Sequence, residues 1–334
     1  MTKPLILSSS PHFHSRYTTE QAMKEVALAC LPAAAAGIWF FGLQALLVMI
    51  LCIAGALASE YLCRRMMSKP VTLKDGSAVI TGLLLALCLP PALPLWIAFL
   101  GGAFAIVIGK QVFGGLGQNI FNPAHIGRAI LVASFPVQMT TWSPARGMLA
   151  NASTMATPAL VDATTSATPM ALMKTGGMDQ LPALGQVIIG QVGGCIGETS
   201  VIAILLGGLF LIFRKHVDWR IPTAYLGTVL VLTTVFGTVK GYGMMYPIYQ
   251  LSSGGLMLGA FFMATDWVTS PVTKKGRLVF GLGLGILTCL IRFFGGLAEG
   301  VCYSILLMNI LTPMIDRYTK GRIYGGSGKE GKPA

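Results

Sequence analysis

The sequence predicts an all-α polytopic membrane protein, and three observations carry that prediction. Hydrophobic residues fill 54% of the 334 positions and charged residues only 11%, whereas soluble domains carry about 25% charged residues; mean hydropathy is +0.71. Several apolar runs reach the roughly 20 helical residues that cross a hydrocarbon core about 30 Å thick. Lys and Arg gather in alternate loops.

Apolar runs bounded by charge, Gly or Pro give about ten helices, near 23–41, 43–63, 76–90, 94–110, 123–137, 192–213, 221–239, 253–268, 277–293 and 297–315. They group into a first membrane half (23–137), a long loop (138–191) and a second membrane half (192–315), flanked by tails 1–22 and 316–334. Residues 1–22 are polar and lack the apolar stretch of a cleavable signal, so the first span is expected to direct insertion.

Positively charged short loops stay in the cytoplasm. The basic sets are Arg64, Arg65, Lys69 and Lys74; Lys110; Arg214, Lys215 and Arg220; Lys274, Lys275 and Arg277; and Arg317, Lys320 and Arg322. Both tails are therefore expected inside and the loop 138–191 outside. The net charge of +12 is then a topology signal, and no nucleic-acid partner is expected. The seven cysteines are scattered through apolar runs without metal-ligand spacing, and with the four histidines they suggest no metal centre.

Sliding the chain against itself by 181 residues lays Leu89-Pro90 over Ser270-Pro271, Gly102 over Gly283, and Phe113-Gly114-Gly115-Leu116 over Phe294-Gly295-Gly296-Leu297. About five spans separate the matching elements, and an odd number inverts the second copy relative to the first, giving two inverted five-helix repeats.

Three polar segments interrupt this pattern. The first, Gly114 to His125, offers Asn119, Asn122 and His125, whose side chains suit either hydrogen bonding to a planar polar ring or capping of helix ends. The second, Met263 to Pro271, contains Asp266. Ionisable groups within spans tend to mark ion paths, so Asp266, Glu198, Glu299 and Glu60 are the ion-path candidates, with helix capping or snorkelling as the other reading of each. The third is the hydroxyl-rich run Asp162-Ala163-Thr164-Thr165-Ser166-Ala167-Thr168-Pro169 in the outer loop. By composition it is a linker, and a Thr hydroxyl needs an activating partner to react.

That run resembles the flavinylation motif of a known family. So do the segments GGLGQNIFNPAHIGRAIL and FFMATDWVTSPVTKKGRLVFG, in the same order. The family comprises two paired membrane proteins, the B subunit of the Na+-translocating NADH:quinone reductase and the D subunit of the Rnf/Rsx electron-transport complex. GCIGETSVIAILLGGLFLIF and WRIPTAYLGTV are similar to the Rnf/Rsx branch; Trp267 stands where the family pattern has Pro.

The resemblance implies FMN joined by a phosphoester to Thr168, with Asp162, Ser166 and Ala167 completing the motif and Thr164 and Thr165 unmodified. It also implies a non-covalent riboflavin near Asn119 and Asn122. The fold would be similar to urea transporters, in the bacterial inner membrane, with the flavin loop periplasmic. The partners would be the other subunits of an ion-translocating (Na+ or H+) complex linked to ferredoxin and nicotinamide, a flavin transferase, and lipid. The competing expectation is a solute or ion channel of the same fold without redox chemistry.

Overall fold

The computed structural model describes residues 18–145, 167–296 and 299–321. Among these residues all regular structure is helical, with no strand. The first helix, α1 (Thr19–Phe41), begins at a capping box: Thr18 Oγ1 accepts from the Gln21 N–H at 3.3 Å, and Gln21 Oε1 accepts from the Thr18 N–H at 3.1 Å. Gly42, at φ 75°, reverses the chain into α2 (Leu43–Met66). A single turn of 3₁₀ helix, Leu73–Asp75, leads to α3 (Ser77–Leu87).

Next, α4 (Leu95–Ile106) runs on as a π-helical turn, Val107–Gln111, and is followed by α5 (Pro123–Ser134) and the short α6 (Pro136–Met139). After residue 166 come α7 (Pro169–Thr175), α8 (Leu184–Ile189), α9 (Val201–Phe213) and α10 (Arg220–Lys240). The chain closes with α11 (Tyr246–Ser252), α12 (Leu256–Leu258) entering a second π turn at Gly259–Met263, α13 (Lys274–Phe294) and α14 (Val301–Tyr318).

Four of these helices, α1, α2, α10 and α13, are long and apolar enough to cross a membrane, and α3, α4 with its π turn, and α9 are shorter apolar helices. Trp39, Phe213, Val239 and Phe294 are each more than 70% exposed. Water does not tolerate so many large apolar side chains on one surface, whereas lipid does. The chain is a helical integral membrane protein.

The tightest packing joins α2 to α4 and α10 to α13, and α1 lies along α9. Small residues permit this approach. A Cβ added at Gly55 would meet the Phe99 carbonyl oxygen, and one at Gly102 the Cys52 carbonyl oxygen, so the α2 and α4 backbones touch as small-residue seams allow.

Several boundaries differ from the sequence expectation. The helix expected over 192–213 starts only at Val201; Ser200 caps it, its Oγ accepting from Ala203 N–H at 3.4 Å. The preceding backbone, rich in Gly, is irregular yet buried, and is satisfied by the end of α3 and the turn after it: Ile196 N–H donates to Leu89 O at 3.0 Å and Gly197 N–H to Leu87 O at 2.7 Å. The span expected over 253–268 is reduced to the three-residue α12 and the π turn, with the separate helix α11 before it. The one expected to reach 137 ends at Ser134, because Pro136 disfavours helical geometry in Phe135. The long loop carries α7 and α8, so its second half is built structure.

Gly102→Ala is expected to lower the thermal midpoint of the solubilised protein, reflecting an overpacking cost of about 1–3 kcal/mol. Gly227→Ala on α10, where an added Cβ meets nothing, is expected to leave it unchanged. Equal midpoints for the two variants would contradict the α2–α4 seam.

Candidate functional site

Two cavities lie at opposite ends of the helical body. α9 begins at Val201, just after Glu198 and Thr199 in the wall of one, and leads to His216 and Val217 in the wall of the other; thirteen helical residues rise roughly 20 Å. The cavity at the end of the basic loops is called inner here, and the one beside Thr168 outer.

The inner cavity measures about 190 Å³ and unites the first two polar segments: Asn119 and Asn122 from one, Thr265, Asp266 and Trp267 from the other, closed by α1, α3 and the end of α9. Asn122 is spent on structure. Its Oδ1 accepts from Ala124 N–H at 3.0 Å, capping α5, and its Nδ2 donates to Met263 O at 3.1 Å. The buried amide thus pins one broken segment to the other. Asn119 Nδ2 donates to Phe121 O at 3.0 Å, which commits its nitrogen but not its oxygen. Asp266 Oδ2 accepts from Thr269 Oγ1 at 3.2 Å inside its own turn, and Trp267 Nε1 donates to His216 O at 2.6 Å. His125 lies one turn deeper, buried, outside the cavity lining.

Glu60 is placed differently from the other carboxylates. It is fully buried against Lys110, whose Nζ donates to Glu60 Oε1 at 2.8 Å, Oε2 at 2.9 Å and Ser77 Oγ at 2.6 Å, while Thr72 Oγ1 adds a bond at 2.9 Å. The expectation that Lys110 is a loop charge is therefore corrected: the π turn rotates it inward, where it neutralises Glu60 and forms part of the inner wall. Next to this cavity, Asp218 pairs with Arg220 at 2.9 Å and Arg277 at 2.6 Å. Burial alone would raise its carboxyl, but the Arg220 N–H and the two guanidinium groups hold it below the usual range.

The outer cavity is small, about 10 Å³, and is lined by Thr168, Glu198, Thr199, Ser252, Ser253 and Glu299, among others. Asp162 and Ser166 lie outside the described residues; Ala167 is exposed and Thr168 is buried. Thr168 Oγ1 accepts from Ala171 N–H at 3.2 Å and its carbonyl from Leu172 N–H at 3.0 Å, so it caps α7. An esterified oxygen keeps lone pairs for that bond, so a phosphoester here leaves the cap in place.

Behind Thr168 sits a buried charge cluster. Arg128 of α5 donates from Nη2 to Glu299 Oε2 at 2.5 Å and lies 3.8 Å from Glu198 Oε1. Arg292 of α13 donates to Gln250 O at 2.6 Å, Gln250 Oε1 at 3.0 Å and Ser253 O at 3.3 Å. Cys195, Glu198 and Glu299 come close enough to suggest a metal site, but the Arg128 guanidinium already bonds Glu299 and lies 3.7 Å from the Cys195 sulfur, where a cation would sit.

Glu198 and Glu299 thus come together beside Thr168, Asp266 joins Asn119 and Asn122, and Glu60 stands in its own ion pair. Sequence reasoning missed Arg128 and Arg292. The signal was present, since each is a lone cation inside an apolar run, but only carboxylates were weighed as buried ions.

A sequence model of the NQR2, RnfD, RnfE family matches residues 6–325. The chain is 47% identical over 329 residues to the D subunit of the proton-translocating ferredoxin:NAD(+) oxidoreductase complex of Clostridium ljungdahlii, covering 96% of each. It is 46% identical over 323 residues to the D subunit of the Na(+)-translocating ferredoxin:NAD(+) oxidoreductase complex of Acetobacterium woodii, covering 96% of the chain and 95% of the relative. It is also 41% identical over 343 residues to the D subunit of the ion-translocating oxidoreductase complex of Aliivibrio salmonicida, covering 96% and 98%.

Lys110→Met leaves the Glu60 carboxylate buried without its cation and is expected to cost about 3–5 kcal/mol. Adding Glu60→Gln is expected to recover most of that loss in thermal unfolding of the solubilised protein. A double variant no more stable than the single one would show that the pair is not coupled.

Proposed function

The chain belongs to the NQR2, RnfD, RnfE family, and we propose that it is the D-type membrane component of an ion-translocating oxidoreductase complex that moves electrons between ferredoxin and a nicotinamide. The observation that carries the reading is the position of Thr168. Thr168 lines a cavity at one end of a membrane protein, in a chain that covers 96% of its length in alignment with proteins so named.

FMN is held through a phosphoester to Thr168 Oγ1, attached by a flavin transferase with Asp162, Ser166 and Ala167 completing the recognised run. The flavin supplies the one- and two-electron chemistry, and the chain supplies position and polarity. Thr168 fixes the tether while the cap bond to Ala171 sets its direction.

A second, non-covalent flavin such as riboflavin occupies the inner cavity. Asn119 Oδ1 is the acceptor left there for a ring N–H, and Asn122 acts as a positioning residue by joining the two broken segments. Asp266 at the inner end and Glu198 with Glu299 at the outer end lie on the ion path; Glu60, sealed by Lys110, serves stability.

The architecture is read as two inverted five-helix repeats, as in urea transporters. The packing order supports it: α2 on α4 mirrors α10 on α13, and α1 on α9 joins the first helix of each repeat. Positive loops support a reading with both tails in the cytoplasm and Thr168 on the outer face, in the bacterial inner membrane. The remaining partners are the other subunits of the complex and lipid.

Co-expressed with a flavin transferase, the chain is expected to give a fluorescent band on a denaturing gel that Thr168→Val abolishes and Thr165→Val retains. A dark wild-type band, or a fluorescent Thr168→Val band, would refute the tether.

A further inference from the structure

The outer cluster holds two carboxylates and two guanidinium groups, of which Arg128 alone bonds a carboxylate, and only one of the two. The side-chain oxygens of Glu198 and Glu299 and the sulfur of Cys195 lie within 4.8 Å of one another. Arg128 binds Glu299 at 2.5 Å, whereas its approach to Glu198 Oε1, at 3.8 Å, is beyond hydrogen-bond range. Glu198 Oε1 has no hydrogen-bond partner although Glu198 is only 7% exposed, and Ser253 Oγ, also buried and unpartnered, lines the same cavity. That cavity, about 10 Å³, holds roughly one water-sized particle.

Two carboxylates this close in a low-dielectric site favour a shared proton unless each is bonded to a cation. The charged and titratable groups around them are Arg128 on α5, Arg292 on α13, Cys195 on the same segment as Glu198, Cys88 just after α3 and Cys302 on α14. The thiols carry no charge. Arg292 keeps its charge but gives its N–H groups to Gln250 and to the Ser253 carbonyl rather than to either carboxylate. Of the two carboxylates, Arg128 is hydrogen-bonded to Glu299 alone, which leaves Glu198 without a hydrogen-bonded cation.

We propose that Glu198 and Glu299 share one exchangeable proton, forming a proton-holding station in the wall of the cavity that Thr168 lines. The proton arrives from water at the cavity mouth: an O–H bond forms at Glu198 Oε1 as a hydronium O–H breaks, and release reverses the step. Ser253 Oγ is the second polar contact for the water that delivers it. The proposal rests on the reading of this cavity as the outer end of the ion path, and it selects the proton as the species held there, where two relatives of similar identity carry names with different ions.

Infrared spectroscopy of the purified full-length chain tests this in the resting protein, without turnover, so its failure is separate from any failure of translocation. At neutral pH the wild type is expected to show one protonated-carboxyl band that shifts in heavy water. Glu198→Gln removes the proton's seat and leaves Glu299 paired with Arg128; Glu299→Gln frees Arg128 to pair with Glu198. Each single variant is therefore expected to lose the whole band, as two independent carboxyls would not.

Survival of the band in Glu299→Gln would overturn the shared proton. So would loss of the wild-type band when choline is replaced by Na+, which would make the site a Na+ site. Should a variant fail to accumulate, the wild-type spectrum decides: no exchangeable carboxyl band, or one abolished by Na+, refutes the proposal, and a band indifferent to Na+ supports it.

Discussion

The guanidinium of Arg128 is the point on which the outer half of this protein depends. It projects from α5 and bonds Glu299, just before α14, while facing Glu198, just before α9. Neither glutamate sits in a helix. Both belong to connecting segments that are packed inside the helical body, where irregular backbone persists only if its polar groups are satisfied. The same segment that carries Glu198 is stitched to the α3 end through Leu87 and Leu89. Three separated stretches of chain therefore meet at one cation, and both glutamates that face it also line the cavity beside Thr168.

The inner end is organised by amide bonds and a second buried pair. Asn122 caps α5 and bonds Met263 at the end of the second π turn, so the two polar segments hold one another in register. Lys110, on the first π turn, closes on Glu60. Both π turns thus sit where a regular helix would aim the wrong side chains, in keeping with the frequent placement of such turns at functional sites. α5 links the ends: Asn122 belongs to the inner cavity, and Arg128, two turns on, to the outer cluster.

Much of this was legible in the sequence, and the failures have physical causes. Long uniform helices such as α1, α2, α10 and α13 followed from apolar length alone. The broken elements did not, because the Gly-rich segment 190–200 runs straight into the apolar α9 and its buried N–H groups are satisfied by carbonyls far away in sequence, which no local pattern shows. Asn119, Asn122 and Asp266 were recognisable as a set once placed in order, yet nothing local shows that Asn122 spends its amide on Met263, which is 141 positions away. Lys110 was misplaced because a charge at a helix end looks the same whether it faces water or a buried partner. Arg128 and Arg292 needed only the rule that a charge inside a span has a partner.

The two cavities are proposed to hold flavin in two different ways, by a tether at Thr168 and in a non-covalent seat between the polar segments. Flavin stoichiometry after acid precipitation of the purified, flavinylated chain measures this directly. One flavin per chain is expected to remain with the pellet and one to appear in the supernatant, the second falling at least about tenfold in Asn122→Leu. All flavin in the supernatant, or none in either fraction, would contradict it.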